Sequence, residues 1–296
     1  MIFLMRSNMR PFSLMRYFSL LLLLLLGLAA TAQHTVLWKI TRPGHPQVSW
    51  MVGTLHTLGE SFIDSFPIIR EKLVASELFI SEAPTDRKAI LDAINARPAT
   101  DTLKSMVSAQ QLDQIKEIYH KSSEDIFKLT PAELLQQLIV FYFEYGCYPP
   151  ALNDKYTVDE YLQQLARDNR KPAYFFETDS MQNQLLANKN ANWDWKYFHK
   201  RVGAVLSLYK MKRPMASVCK LVWDYVDFKV DYDFDKACTD KDIVEDRNAA
   251  WMTKLPGELD GHNCFIDVGM QHLCNRCGLI VQLRALGYTV EPVEMR

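Results

Sequence analysis

The chain has 296 residues, 34 Lys and Arg against 35 Asp and Glu, and a formal charge of −1. Nearly half of it is apolar, so it has length enough to bury a core. No basic run with interleaved aromatics is present, which argues against a nucleic-acid partner.

The first 32 residues read as a targeting segment. Arg6, Arg10 and Arg16 precede the apolar run Leu20 to Leu26, and Ala30-Thr31-Ala32 supplies an A-x-A cleavage site before Gln33. The run is short of the roughly 20 apolar residues that a membrane span needs. The expectation is a signal peptide over 1–32, then a single exported domain over 33–296 with no membrane span once the signal is cleaved. Loss of the three arginines takes the charge from −1 to −4. The six cysteines, Cys147, Cys219, Cys238, Cys264, Cys274 and Cys277, all follow the cleavage site. An exported chain with an even cysteine count favours disulfides, with Cys274 or Cys277 among the bonded ones. Cys274-Asn275-Arg276-Cys277 has C-x-x-C spacing, but no second such pair or His pair stands where a zinc site would want one.

In the mature chain, Thr35–Thr41 and Gln47–Gly53 are β-prone runs joined by Arg42-Pro43-Gly44-His45-Pro46, which predicts a hairpin. Pro67–Ser76 reads as helix and Leu78–Glu82 as a short strand ending in a carboxylate. Asp86–Phe143 is helical in pattern, with a capping box and N1 proline at Thr130-Pro131-Ala132-Glu133. Thr157-Val158-Asp159-Glu160 opens another capped helix. Ala173–Glu177 is a second strand ending in a carboxylate, and Asp179 is expected to cap the helix after it. Trp193–Phe228 is helical with a break at Pro214, and its aromatics read as core or cleft lining. Asp240–Leu255 is helical, Arg276–Leu286 is a helix stopped by Gly287, and Tyr288–Glu294 is a last strand. Strands and helices alternate at both ends, with a helical block between. That pattern predicts an α/β fold: a mixed, mostly parallel sheet flanked by helices, with a helical insertion.

Two stretches share a design. Val48–His56 and Cys264–His272 are each an apolar strand that delivers Gly-x-x-His to its C-terminal end. Catalytic groups and ligands gather at that end of parallel strands. His56 and His272 can therefore meet in a metal or acid–base site; the alternative is two strands that end in ordinary turns.

These pieces resemble the TraB/GumN family, which includes the TIKI proteases. The resemblance rests on Gly53-Thr54-Leu55-His56, the strand ending at Glu82, and Phe176-Glu177-Thr178 with Gln182. It continues through Arg247-Asn248 with Met252, Val268-Gly269-Met270-Gln271-His272-Leu273, and the tail from Gly278 to Val290. It implies a fold related to erythromycin esterases and ChaN-like proteins, with a sheet of two similar halves. It also implies metal-dependent hydrolysis of a peptide or small-molecule substrate. His56, His272 and Glu82 or Glu177 would hold a divalent metal, for which their donors suit zinc, manganese or cobalt. The other glutamate would be general base, and Arg247 would stabilise the oxyanion or form an ion pair with a glutamate. Two alternatives stand beside this: a metal-free esterase-like hydrolase with His56 as base, and an exported binding protein without turnover. Cys274–Cys277 stands where the family commonly has a glycine-containing loop.

Overall fold

The computed structural model describes residues 34–295; the expected signal peptide lies outside the described residues. The opening hairpin forms as expected. Strand β1 (Leu37–Thr41) pairs antiparallel with β2 (Val48–Thr54), and Leu37 faces Val52. Gly44 closes the turn at φ +81, a left-handed conformation that glycine adopts without strain.

The other strands are β3 (Leu78–Ser81), β4 (Ala173–Phe175), β5 (Cys264–Gly269) and β6 (Thr289–Pro292). Their order is β4-β3-β5-β2-β1-β6. The first four run parallel, while β1 is antiparallel to both β2 and β6. Strand β5 is buried along its whole length, as a strand covered by helices on both faces must be. Alternation then divides the core. Val52, Phe79 and Phe265 point to one face, where Leu162 and Leu165 of the Val158–Asp168 helix and Tyr225 of the Ala216–Val226 helix cover them. Met51, Ile80 and Ile266 point to the other, against Trp251, Leu255 and Leu283.

The helical insertion has a core of its own, built from Leu103, Ile115, Leu134, Leu138, Phe198 and Val202. The expected helical stretch from Asp86 to Phe143 is several elements, among them Arg87–Asn95, Ala109–Ile118 and Pro131–Tyr142. Both expected capping boxes close, at Thr130/Glu133 and Thr157/Glu160. The cap of the Asp179–Lys189 helix is different from the one expected. Thr178 takes it, its hydroxyl accepting from Met181 N, and Asp179 becomes the first helical residue. The C-terminal helix starts at Leu279, three residues later than expected. Cys277 is tied into a disulfide, and Gly278 lies so close to Leu273 that a Cβ would stand 2.4 Å from its carbonyl oxygen.

Two disulfides form, Cys147–Cys219 and Cys238–Cys277, while Cys264 and Cys274 are free. The C-x-x-C spacing is thus no redox pair, because Cys277 bonds to a distant partner. Among the described residues, no helix is long and apolar enough to cross a membrane.

Candidate active site

Four neighbouring parallel strands end at one edge of the sheet, and each delivers one of the four residues singled out in the sequence. His56 follows β2, Glu82 follows β3, Glu177 follows β4 and His272 follows β5. Both glycines of the two Gly-x-x-His motifs serve close approach. A Cβ on Gly53 would stand 2.7 Å from Leu273 Cδ1. One on Gly269 would meet Glu82 Oε1 at 3.2 Å, His56 Nε2 at 3.3 Å and His272 Cδ2 at 3.7 Å. The space that the missing side chain leaves is where the two histidines and the glutamate converge. It opens into a cleft of about 370 Å³ that Gln182, Leu186, Leu221 and Arg247 also line.

Arg247 joins the groups. Its Nε and Nη2 donate to the two oxygens of Glu177 at 2.7 and 2.9 Å, and Nη2 also donates to Glu82 Oε2 at 2.6 Å. Its Nη1 donates to Ile243 O at 3.1 Å and lies 3.0 Å from His272 Nε2. The five N–H bonds of the guanidinium are thereby all engaged. Trp251 packs behind: its ring lies 4.8 Å from the guanidinium and 4.3 Å from the His272 ring, and its Nε1 donates to Glu177 Oε1.

Neighbouring groups fix the proton on His272. Asn248 Nδ2 donates to two carbonyls, those of His272 and Cys277, at 3.0 and 2.7 Å. Only an amide nitrogen can serve there, so Asn248 Oδ1 faces His272 Nδ1, 2.7 Å away, and Nδ1 must carry the hydrogen. The lone pair on Nε2 then accepts from Arg247. His272 is buried, and burial first, with the Arg247 charge beside it, pushes its pKa down to about 4. It is a neutral imidazole at ordinary pH.

His56 is its opposite. Its side chain is 65% exposed, and its Nδ1 stands 2.6 Å from Asp159 Oδ2. The charge of Asp159 pushes the His56 pKa up to about 9. Asp159 also accepts from the Thr54 hydroxyl at 2.6 Å and lies in the first turn of the Val158–Asp168 helix, where the helix dipole favours an anion. Burial opposes the charge on Asp159, but the His56 and Thr54 contacts outweigh it and lower its pKa. Glu82 is likewise ionised: burial opposes this, and the charges of Arg247 and His56 with the Gly269 N–H, which donates to Oε1 at 2.7 Å, outweigh it. His56 thus keeps Nε2 toward the cleft while Nδ1 is held from behind.

The structure brings together all five residues the sequence singled out. Sequence reasoning missed Asp159, which it read only as part of a helix cap, and Trp251. It also missed Asp267, whose signal was an Asp in the middle of an otherwise apolar strand.

A family model matches residues 36–292, and its description is the TraB/PrgY/gumN family. The chain belongs to that family. No curated protein and no solved structure matches it. The match spans β1 to β6, so all four strands that carry the candidate site lie within the part that is TraB/PrgY/gumN in sequence.

The donor types here suit a divalent metal: His56 Nε2, His272 Nε2 and Glu82. Both histidines tie back their Nδ1, as metal-ligating histidines do. Their arrangement does not suit one. The Arg247 guanidinium already sits on His272 Nε2 and on Glu82 Oε2, so a dication at those atoms would have to displace a cation. Among the described residues, no group of three His, Cys, Asp or Glu stands ready to hold a metal.

Proposed function

We propose that the chain is a hydrolase that adds water to the carbonyl of a peptide or ester, with His56 as general base and no metal required. The observation that carries this is the His56–Asp159 pair. Asp159 holds Nδ1–H, Nε2 faces the cleft, and an imidazolium formed there has a carboxylate beside it. In this reading His56 takes the proton from an attacking water and returns it to the leaving group. Glu82, next to it, helps orient that water. Arg247 acts through its charge: with every N–H engaged, it polarises the substrate carbonyl and holds Glu82, Glu177 and His272 in place. The second N–H of Gln182 Nε2, whose first goes to Glu82 Oε2 at 3.2 Å, is a donor for the developing oxyanion.

A metal-dependent reading stands second, because both Nδ1 atoms are tied back. In it His56, His272 and Glu82 would hold zinc, manganese or cobalt, which when bound would activate water. The chain would work outside the cytoplasm, and two disulfides support that placement.

The test is turnover of a peptide library and an ester panel by the mature protein, with and without chelator, beside metal analysis. Chelator-resistant turnover that falls by about 100-fold or more in His56→Ala supports the first reading. Turnover that needs a stoichiometric metal supports the second. No turnover on any substrate overturns both and leaves a binding protein of the same fold.

A further inference from the structure

Beneath the cleft, Asp267 is 0% exposed, in the middle of β5. On β5 it lies opposite Val52 of β2 and Ser81 of β3, under the Val158–Asp168 helix. Its Oδ2 accepts from the Ser81 hydroxyl at 3.2 Å. Its Oδ1 is buried with no donor in reach. A buried carboxylate with one bare oxygen carries a heavy desolvation cost.

Beside the Ser81 hydroxyl, the neighbour that acts on it most directly is another carboxylate, Asp159. Two anions in contact repel, and a single proton between them turns the repulsion into a hydrogen bond. That proton has one place to sit. Asp159 faces two donors, the Thr54 hydroxyl and His56 Nδ1, so its oxygens act as acceptors. Asp267 Oδ2 is also an acceptor, which leaves Asp267 Oδ1.

We propose that Asp267 is a neutral carboxylic acid that donates its hydrogen to Asp159, completing a line Asp267–Asp159–His56 in which Asp159 is the one anion. This rests on the reading of His56–Asp159 as the working pair. Asp267 is then a positioning residue: it fixes Asp159 from below while His56 is held above. The groups that face it agree. Burial, followed by the charges of Asp159 and Glu82, holds its pKa well above the carboxylate range. The other titratable neighbour, Tyr225, keeps its proton and donates to Gly53 O at 2.7 Å.

Asp267→Asn separates the possibilities, because the amide keeps one acceptor for Ser81 and one donor for Asp159. Infrared spectra of protein labelled with carbon-13 aspartate leave out Glu144, whose burial raises its pKa to about 7. At neutral pH the wild type should show the carbonyl stretch of a protonated aspartic acid, and the variant should lack it. The His56 pKa, followed by NMR, should be the same in both. An absent band in the wild type overturns the proposal. So does a His56 pKa that falls by about one unit or more in the variant, as loss of an adjacent anion requires. If the variant does not fold, the wild-type band alone decides. Neither readout needs turnover, so an inactive protein that shows the band sinks the hydrolase and leaves this proton where it is placed.

Discussion

At the scale of single residues, the two histidines behave as different reagents although they arrive on the same motif. His272 is buried between Trp251 and Arg247 and stays neutral; His56 stands open beside Asp159 and holds its proton. Spacing could place both at the sheet edge, because it reports where a strand ends. It could not tell them apart, because Asp159 and Trp251 come from distant segments. The difference has a sign in each direction. A His whose pKa is raised stabilises the fold most below about 6.5 and loses that contribution as pH rises through about 9. A His whose pKa is lowered stabilises it above about 6.5 and loses that contribution as pH falls toward about 4. Thermal unfolding followed against pH should therefore peak between these limits. His272→Gln should flatten the acid side and His56→Gln the alkaline side. Because His56 is open to solvent, its side should be the shallower. Arg247→Ala is expected to cost about 3–5 kcal/mol in chemical denaturation, because it strands Glu82 and Glu177 with their charges unpaired. A cost under about 1 kcal/mol would show that water reaches both carboxylates.

Elements set the positions of these residues. The Val158–Asp168 helix carries Asp159 to His56, and its start is fixed by the Thr157/Glu160 capping box. Thr157→Ala should cost about 1 kcal/mol in denaturant unfolding. It should also lower the His56 pKa measured by NMR, because a frayed first turn loosens Asp159. Unchanged titration of His56 would show that Thr54 and Asp267 hold that carboxylate without the helix start. The strand ends were readable because each apolar run stops at a glycine or a carboxylate. The helix boundaries were less so. Thr178 takes a cap that Asp179 could also have filled, and Leu279 starts its helix late because a disulfide and a tight turn hold the chain before it. Neither fact lies in local sequence. The Cys238–Cys277 bond also reaches the site, since Cys277 O accepts from the Asn248 amide that orients His272. Cys238→Ser with Cys277→Ser should therefore alter the NMR signals of His272 while leaving those of His56 in place. The opposite pattern would break that link.

For the whole molecule, the parallel arrangement of β2, β3, β4 and β5 was the legible part, and it follows from strands alternating with helices. The sequence could not order the strands. That β5 lies between β3 and β2 depends on chain crossovers, and it is this order that sets Gly269 among Glu82, His56 and His272. The division into two sheet cores and a separate helical core was also out of reach, because apolar helix faces look alike before they pack. The resulting site places one open, carboxylate-backed imidazole beside a locked cluster of Arg247, Glu82, Glu177 and His272. Export belongs at this scale as well: N-terminal sequencing of the secreted or periplasmic protein should begin at or near Gln33, and an intact Met1 on cytoplasmic protein would contradict it. The most direct measurement of the central claim is the pH dependence of kcat/KM in the presence of chelator, on whichever peptide or ester the protein turns over. The proposal predicts chelator-resistant activity that rises with pH along a single limb between about 6.5 and 9, as His56 loses its proton, and that Asp159→Asn lowers this limb toward the ordinary histidine value. Activity abolished by chelator, or a limb that Asp159→Asn leaves unmoved, would contradict it.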